Sequence, residues 1–154
     1  MEHIPAIHAA KVGMRYPARV VRSHQYGMTL KLDLSALAPG RSPTLDAYLF
    51  WSQTVAPEIA QALTVGQRVE VVVVEVFSSD LDVSLPADPA WLAWNNGTVR
   101  HLARRIRDTG ETVLLPVLAD ALEEAGCTDA ALLDHCRQPL EGKSWVVELL
   151  ATQE

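Results

Sequence analysis

Three side chains in the second half of the chain are of types that bind metals or act as nucleophiles: Cys127, His135 and Cys136. A zinc site needs four ligands at suitable spacing, and neither a C-x-x-C pair nor a fourth ligand stands nearby in the sequence. His135 and Cys136 are adjacent, so their side chains would point about 100° apart on a helix. We therefore predict two packed, reduced cysteines and a capping histidine, with no metal, cofactor or catalytic site.

Basic side chains form two groups that could contact an anion. In the first half of the chain, Arg19 and Lys31 point outward on adjacent predicted strands, with His24 near the same end. Such side chains bind phosphates and give an affinity for nucleic acid that does not depend on base sequence. We expect the second group to be a solvated helix face that pairs with Glu123 and Glu124. That face carries Arg100, Arg104 and Arg107.

The composition is that of an ordinary soluble globular protein. Of 154 residues, 49% are apolar and 21% charged, and the formal net charge of −6 argues against a strongly basic nucleic-acid-coating protein. Up to Pro86 there are seven Lys or Arg against eight Asp or Glu, and after it six against eleven. Two cysteines are too few for a disulfide framework, and the N-terminal sequence resembles no secretory signal. These features predict a cytoplasmic protein.

The elements that must position these groups begin with a valine-rich stretch, residues 66–77. Six of its twelve residues are valine, and β-branched side chains fit a pleated sheet better than a helix. The run is too short for a membrane helix, which needs about 20 apolar residues. We predict a central strand that is buried on both faces over its middle, followed by a turn at 78–80 and a short strand at 81–85.

A hairpin is predicted before this central strand. Residues 15–22 are its first strand, in which Pro17 implies an edge position or a bulge. A turn follows at 23–27, with Gly27 free to adopt a positive φ. Residues 28–33 then alternate between apolar and polar types. The apolar set should face the core and the polar set the outside: Met28, Leu30 and Leu32 against Thr29, Lys31 and Asp33.

Three elements are predicted between the hairpin and the central strand. Residues 35–45 contain two prolines, a glycine and two serines, so they should form a loop. Residues 47–51 are a third strand. Residues 56–63 form one or two helical turns, with Pro57 in the opening turn. The predicted order is strand, strand, strand, short helix, strand, strand.

This order and several short motifs resemble the S1 RNA-binding domain, a five-stranded OB-fold barrel. The loop at 35–45 is an insertion relative to that domain. The resemblance covers about residues 11–86, and the matching motifs are Val12-Gly13, Tyr26-Gly27, Tyr48-Leu49-Phe50-Trp51-Ser52, Val65-Gly66-Gln67-Arg68-Val69 and Val83-Ser84-Leu85.

The S1 resemblance implies a nucleic-acid face of aromatic, histidine and basic side chains. Aromatic rings suit such a face, because each base that stacks on a ring contributes roughly 1–3 kcal/mol. Tyr26 falls on the family's first aromatic position, Thr29 on the second and Phe50 on the usual histidine position. The family's acidic position falls near Phe77, and its closing-strand arginine falls at Asp82. The candidate nucleic-acid-binding residues are Tyr26, Phe50, Arg19, Lys31, Thr29 and His24.

Helices are predicted beyond residues 88–91. Residues 95–98 should cap a first helix with apolar residues at i, i+3, i+4 and i+7, and Gly110 should end it. Pro116 suits the opening turn of a second helix, and residues 128–129 should cap a third. The last apolar segment, residues 145–150, has helical spacing, although a strand is possible.

The second half of the chain resembles a short helical domain that is widespread in predicted bacterial proteins and has no established activity. The resemblance covers about residues 91–151 and depends on the motifs LADALEEAGC, HCR and WVV. Members often carry a further His and a Gly-Cys before the Trp, whereas residues 141–144 here are Glu-Gly-Lys-Ser. The resemblance implies a helical fold and leaves the function open.

Together these patterns predict an α+β chain, a five-stranded OB-fold (S1-like) β-barrel followed by a three- or four-helix domain. The expected parts are a flexible arm at 1–10, the barrel at 11–86, a linker at 87–90 and the helical domain at 91–152. The predicted function is non-catalytic binding of single-stranded RNA or DNA, with no membrane and no small-molecule substrate. The alternative is a protein-interaction adaptor whose barrel or helical domain docks onto a larger bacterial complex.

Overall fold

The computed structural model describes residues 11–33, 44–77, 80–138 and 144–152. The chain forms two compact units that divide between Pro86 and Ala87. The predicted arm at 1–10 and residues 35–43 of the predicted loop lie outside the described residues.

The first unit is a closed five-stranded barrel with a short helix before its fourth strand. Its elements are β1 (Arg15–Ser23), β2 (Gly27–Asp33), β3 (Thr44–Phe50), α1 (Pro57–Gln61), β4 (Arg68–Val76) and β5 (Leu81–Ser84). The strands follow the order β1-β2-β3-β5-β4 around the barrel, and β4 also pairs with β1. All pairs are antiparallel except β3 with β5. The predicted OB-type barrel is thereby confirmed.

The core of the barrel is built around β4, as the valine run predicts. Val71, Val72 and Val73 are fully buried and Val74 is nearly so. A fully buried side chain of this kind contributes roughly 1.5–3 kcal/mol relative to an exposed one. The apolar half of the β2 alternation is also confirmed, since Met28, Leu30 and Leu32 are buried, whereas Thr29 of the polar set is buried as well.

Gly27 is required by close packing of the backbone, and the prediction of a positive φ is wrong. Gly27 lies opposite Phe50 where β2 meets the end of β3. Its φ lies outside the left-handed region, and a Cβ built on it would be 2.3 Å from the carbonyl oxygen of Leu49. A side chain at this position would push the two strands apart.

Pro17 lies on a part of β1 that pairs with β4, opposite Glu70. Pairing of β1 with β2 begins at Ala18, so Pro17 has no partner on β2 among the described residues. The bulge in β1 falls later, between Val20 and Arg22. Pro17 therefore occupies an edge-like position on one side of the strand, and the bulge is elsewhere.

Two boundaries of β3 differ from the prediction. Leu45 belongs to the strand and not to the predicted loop, whereas Trp51 begins a 3-10 turn after the strand. Two hydrogen bonds hold Trp51 there. Its backbone N–H donates to the Tyr26 carbonyl at 3.0 Å, and its indole N–H donates to the Gln25 carbonyl at 3.1 Å. Trp51 therefore ties the end of β3 to the β1–β2 turn.

A buried polar network joins β5 to the segment that follows β3. The Val55 N–H donates to Ser84 Oγ at 3.0 Å, and the Leu85 N–H donates to Thr54 Oγ1 at 3.0 Å. Both hydroxyl-bearing side chains are buried. Because a buried backbone donor without a partner is costly, these bonds favour the closed barrel over an open one.

The second unit is helical, and its first helix begins within the predicted linker at 87–90. The segment at 145–150 is a helix and not a strand. No helix in the described part of the chain is long and apolar enough to cross a membrane. The helices are α2 (Pro89–Ala93), α3 (Thr98–Thr109), α4 (Leu115–Glu124), α5 (Ala130–Arg137) and α6 (Trp145–Thr152). The largest fully buried side chains of this unit are Leu115, Leu118, Leu122, Leu132, Leu149 and Leu150.

The helix ends agree in part with the prediction. Asp129 caps α5, since its Oδ1 accepts from the Leu132 N–H at 3.3 Å, and Gly110 ends α3 with a positive φ. The N-cap of α3 lies within residues 95–98, as predicted, but it is Gly97 and no side chain caps the helix. The Thr98 hydroxyl instead donates to the Asn95 carbonyl at 2.8 Å.

The arginine face of α3 is partly a packing contact, which corrects the prediction of a solvated face. Arg104 Nε donates to the Ala151 carbonyl of α6 at 2.9 Å. Arg100 Nε is buried and has no hydrogen-bond partner among the described residues. Glu123, a predicted partner of this face, binds Arg137 of α5 at 2.5 Å.

We predict that Gly27→Ala lowers the stability of the chain. The new Cβ would meet the backbone of β3, and overpacking of this kind costs about 1–3 kcal/mol. Thermal unfolding followed by circular dichroism should show a lowered midpoint. The control is Ser23→Ala, an exposed change in the same hairpin that should cost less than about 0.5 kcal/mol. Equal midpoints for the two variants would contradict the proposed close approach.

Candidate nucleic-acid interface

A row of charged side chains crosses the outer face of the barrel from β4 to β3. Strand pairing places Arg68 opposite Arg19, Arg19 opposite Lys31 and Lys31 opposite Asp46. Residues directly opposite each other in antiparallel strands project on the same side, with Cβ atoms about 5 Å apart. Three cations therefore lie side by side. We call Arg68, Arg19 and Lys31 the basic row.

Two members of the basic row make no ion pair within the described residues. Lys31 Nζ pairs with Asp46 Oδ1 at 2.5 Å, and about half of each side chain is exposed. Arg19 and Arg68 are exposed and make no salt bridge within that part of the chain. Like charges directly opposite each other destabilise a sheet. The row therefore favours an anion on the surface above it.

Two exposed aromatic rings lie nearer to the β1–β2 turn than the basic row does. Tyr26, in the β1–β2 turn, is 71% exposed, and Phe50, at the end of β3, is 37% exposed. The ring of Phe50 stacks on that of Tyr48, with centroids 6.5 Å apart and planes at 24°. Tyr48 and Phe50 are two residues apart in a strand, so they share the outer face. These flat surfaces are suited to stacking with nucleic-acid bases.

Thr29 and His24 contact each other at the turn end of the β1–β2 hairpin. His24 Nε2 and Thr29 Oγ1 are 2.7 Å apart, and they form a hydrogen bond. Thr29 is buried although it projects from the outer face, whereas His24 is exposed. Thr29 therefore supports the hairpin and offers little surface to a ligand, while His24 remains accessible.

Beyond the stacked rings, the outer face becomes acidic. Asp82 of β5 lies beside Tyr48 in the parallel β3–β5 pair and opposite Glu75 of β4. Burial, together with the negative charges of Glu75 and Asp80, raises the pKa of Asp82 to about 6. Phe77, at the end of β4, is 44% exposed. We call Asp82, Glu75 and Asp80 the acidic cluster.

The structure brings the six predicted site residues into one region of the barrel. Arg19 and Lys31 are directly opposite each other, His24 contacts Thr29, and Phe50 lies opposite the residue that follows Tyr26. The sequence reasoning missed two members of this face. Tyr48 alternates with Phe50 in a predicted strand and could have been found from that period. Arg68 comes from a distant strand, and local sequence does not place it.

Cys127, His135 and Cys136, whose side chains are of types that can bind metals, lie in the helical unit and are largely buried. Cys127 and Cys136 are buried free thiols, and burial raises the pKa of Cys136 to about 12. That thiol is therefore protonated at neutral pH and a poor nucleophile. His135 Nε2 lies 2.7 Å from Ser144 Oγ, which also accepts from the Val147 N–H at the start of α6. His135 thus supports a capping serine and does not itself cap a helix.

Within the described part of the chain, no group of three or more His, Cys, Asp or Glu side chains is placed to hold a metal ion. The absence of a resident metal in the whole protein stays a prediction.

When the chain is compared with known proteins, the similarities found are to solved structures. No family model matches the sequence. No curated protein matches it.

Three similar structures come from three organisms. The uncharacterized protein MJ1198 from Methanocaldococcus jannaschii is 19% identical, with coverage of 49% of this chain and 92% of its own and a TM-score of 0.38. GSP13 from Bacillus subtilis is 24% identical, with coverage of 49% and 55% and a TM-score of 0.37. A chain of the a/eIF2alpha-aDim2p-rRNA complex from Pyrococcus horikoshii is 23% identical, with coverage of 79% and 67% and a TM-score of 0.38.

We predict that Asp82→Asn stabilises the chain near pH 7.5 by about 1 kcal/mol, a figure that allows for the partial exposure of the carboxyl group. The pKa of Asp82 is raised from 3.8 to about 6 on folding, so its charged form is disfavoured in the folded state. The penalty is present above pH 6 and disappears as pH falls towards 4. Unfolding midpoints of the wild type and the variant should therefore converge between pH 7.5 and pH 4.5. A difference that does not change with pH would contradict this assignment.

Proposed function

We propose that this chain is a non-catalytic nucleic-acid-binding protein that holds single-stranded RNA or DNA on the β1–β2 half of the barrel. The observation that supports this most is the basic row, in which Arg19 lies between Arg68 and Lys31. Neighbouring strands are about 4.8 Å apart, so the three charges span roughly 10 Å of surface. A phosphate backbone above them would relieve their mutual repulsion.

The net charge of −6 does not argue against this proposal, because binding depends on the local field at the surface. Arg19 and Arg68 have no acidic partner among the described residues to compete with a phosphate. Lys31 is shared with Asp46 in a half-exposed pair. Exposed pairs of this kind contribute about 0–1 kcal/mol, so a phosphate can take Lys31 from Asp46 at little cost.

The aromatic side chains would supply the second part of the binding energy. The ring of Tyr26 is largely exposed, and the Tyr48–Phe50 stack offers a further flat surface on the same face as Lys31. A base that stacks on such a ring contributes roughly 1–3 kcal/mol and needs no particular sequence. The proposed binding is therefore selective for unpaired bases and tolerant of their identity.

The first test of the proposal is fluorescence anisotropy with labelled single-stranded RNA and DNA at low and near-physiological salt. Tyr26→Ala/Phe50→Ala should weaken binding about 10-fold or more, since two stacking surfaces are removed. Tyr26→Phe keeps the ring and should bind as the wild type does. Circular dichroism should show that each variant is folded. No binding by the wild type even at low salt would exclude the proposed function.

The second test concerns the basic row. Arg19→Ala/Arg68→Ala should weaken binding and reduce the slope of log affinity against log salt by about 2, because each phosphate contact accounts for about 1. Arg105→Ala/Arg107→Ala removes the same charge from the helical unit, where both arginines lie on α3 and pair with Glu111 and Asp108. That control should leave the slope unchanged. Equal slopes for the two double variants would place the phosphates elsewhere.

A further inference from the structure

The outer face of the barrel is divided by charge, and the division follows a second row of paired residues. Starting from β1, Arg22 lies opposite Thr29, Thr29 opposite Tyr48, Tyr48 beside Asp82, and Asp82 opposite Glu75. The row therefore begins with a cation, crosses a buried hydroxyl and an aromatic ring, and ends with two carboxylates. The boundary between the two halves is the stacked pair of rings on β3.

Among the described residues, the charged groups that act on Asp82 are acidic. Burial contributes most to its raised pKa, and Glu75 and Asp80 add to it. The groups that face Asp82 are Tyr48 on β3, Glu75 on β4 and Asp80 before β5. Asp82, Glu75 and Asp80 make no salt bridge within the described residues and thus concentrate negative charge one strand away from the aromatic stack.

We propose that the acidic cluster determines where a bound nucleic acid can lie, by excluding the phosphate backbone from β5 and from the end of β4 that pairs with it. This inference rests on the proposed function, because it concerns the same ligand. The basic row attracts the strand to β1, β2 and the start of β4, and the acidic cluster repels it from β5 and the end of β4. The stacked rings of Tyr48 and Phe50 are then the limit of the site.

A pH dependence follows from this arrangement. Protonation of Asp82 removes one repelling charge, so affinity should rise as pH falls from 7.5 to 5.5. A phosphate near Asp82 would raise its pKa further, since the two sites are linked. The pH series is run in a His24→Gln background, so that the side chain tested is Asp82.

The experiment compares Asp82→Asn/Glu75→Gln with the wild type by anisotropy on labelled single-stranded RNA at pH 7.5 and low salt. The double variant should bind about 3- to 10-fold more tightly. The matched control is Asp134→Asn/Glu124→Gln, which makes the same two charge changes at exposed positions of the helical unit. The control should change affinity by less than about 2-fold, because neither of its carboxylates belongs to the barrel.

The pH series provides a second readout. In a His24→Gln background, affinity should still rise between pH 7.5 and pH 5.5, and Asp82→Asn should abolish that rise. If the wild type binds and Asp82→Asn/Glu75→Gln binds no better than the control, the exclusion is wrong while the proposed function stands. If neither protein binds at low salt, the proposed function itself fails.

Discussion

The parallel pairing of β3 with β5 is the contact that closes the barrel. It consists of two paired positions, Ala47 with Leu81 and Tyr48 with Asp82, and the buried Thr54–Ser84 network reinforces it. A closed barrel has no free strand edge, so every strand of the unit gains a partner on both sides. Closure also places an aspartate of the last strand beside the aromatic stack of the third.

Closure has its second consequence on the opposite side of the barrel, where β4 pairs with β1. That pairing brings Arg68 next to Arg19 and so extends the basic surface of the hairpin to three strands. Opposed like charges disfavour this register. The register is nevertheless fixed, because a slip of one residue would bring Glu70 or Glu75 into the buried stretch that Val71 to Val74 now fill. Hydrophobic packing thus holds the cations together.

The parts of this fold that follow a local period could be predicted from the sequence. The alternation from Met28 to Asp33 identifies a strand because side-chain direction repeats every two residues, and the valine run of β4 identifies one because β-branched side chains fit a pleated sheet. The placement of Arg68 opposite Arg19 could not be predicted, since it depends on the register of strand pairing and on bulges such as the one between Val20 and Arg22. Gly27 shows the same limit, because its role depends on the backbone of Leu49 in another strand.

The position of Asp82 lowers the stability of the barrel. Its carboxyl group is partly buried beside two further acids, and a neutral side chain there would leave the barrel more stable. Local features that lower stability without a compensating contact are expected at functional sites. The basic row has the same character, since Arg19 faces a cation on each side. Both departures from stable packing lie on the outer face of the barrel, and under our proposal their opposite charges would give a bound nucleic acid a defined position.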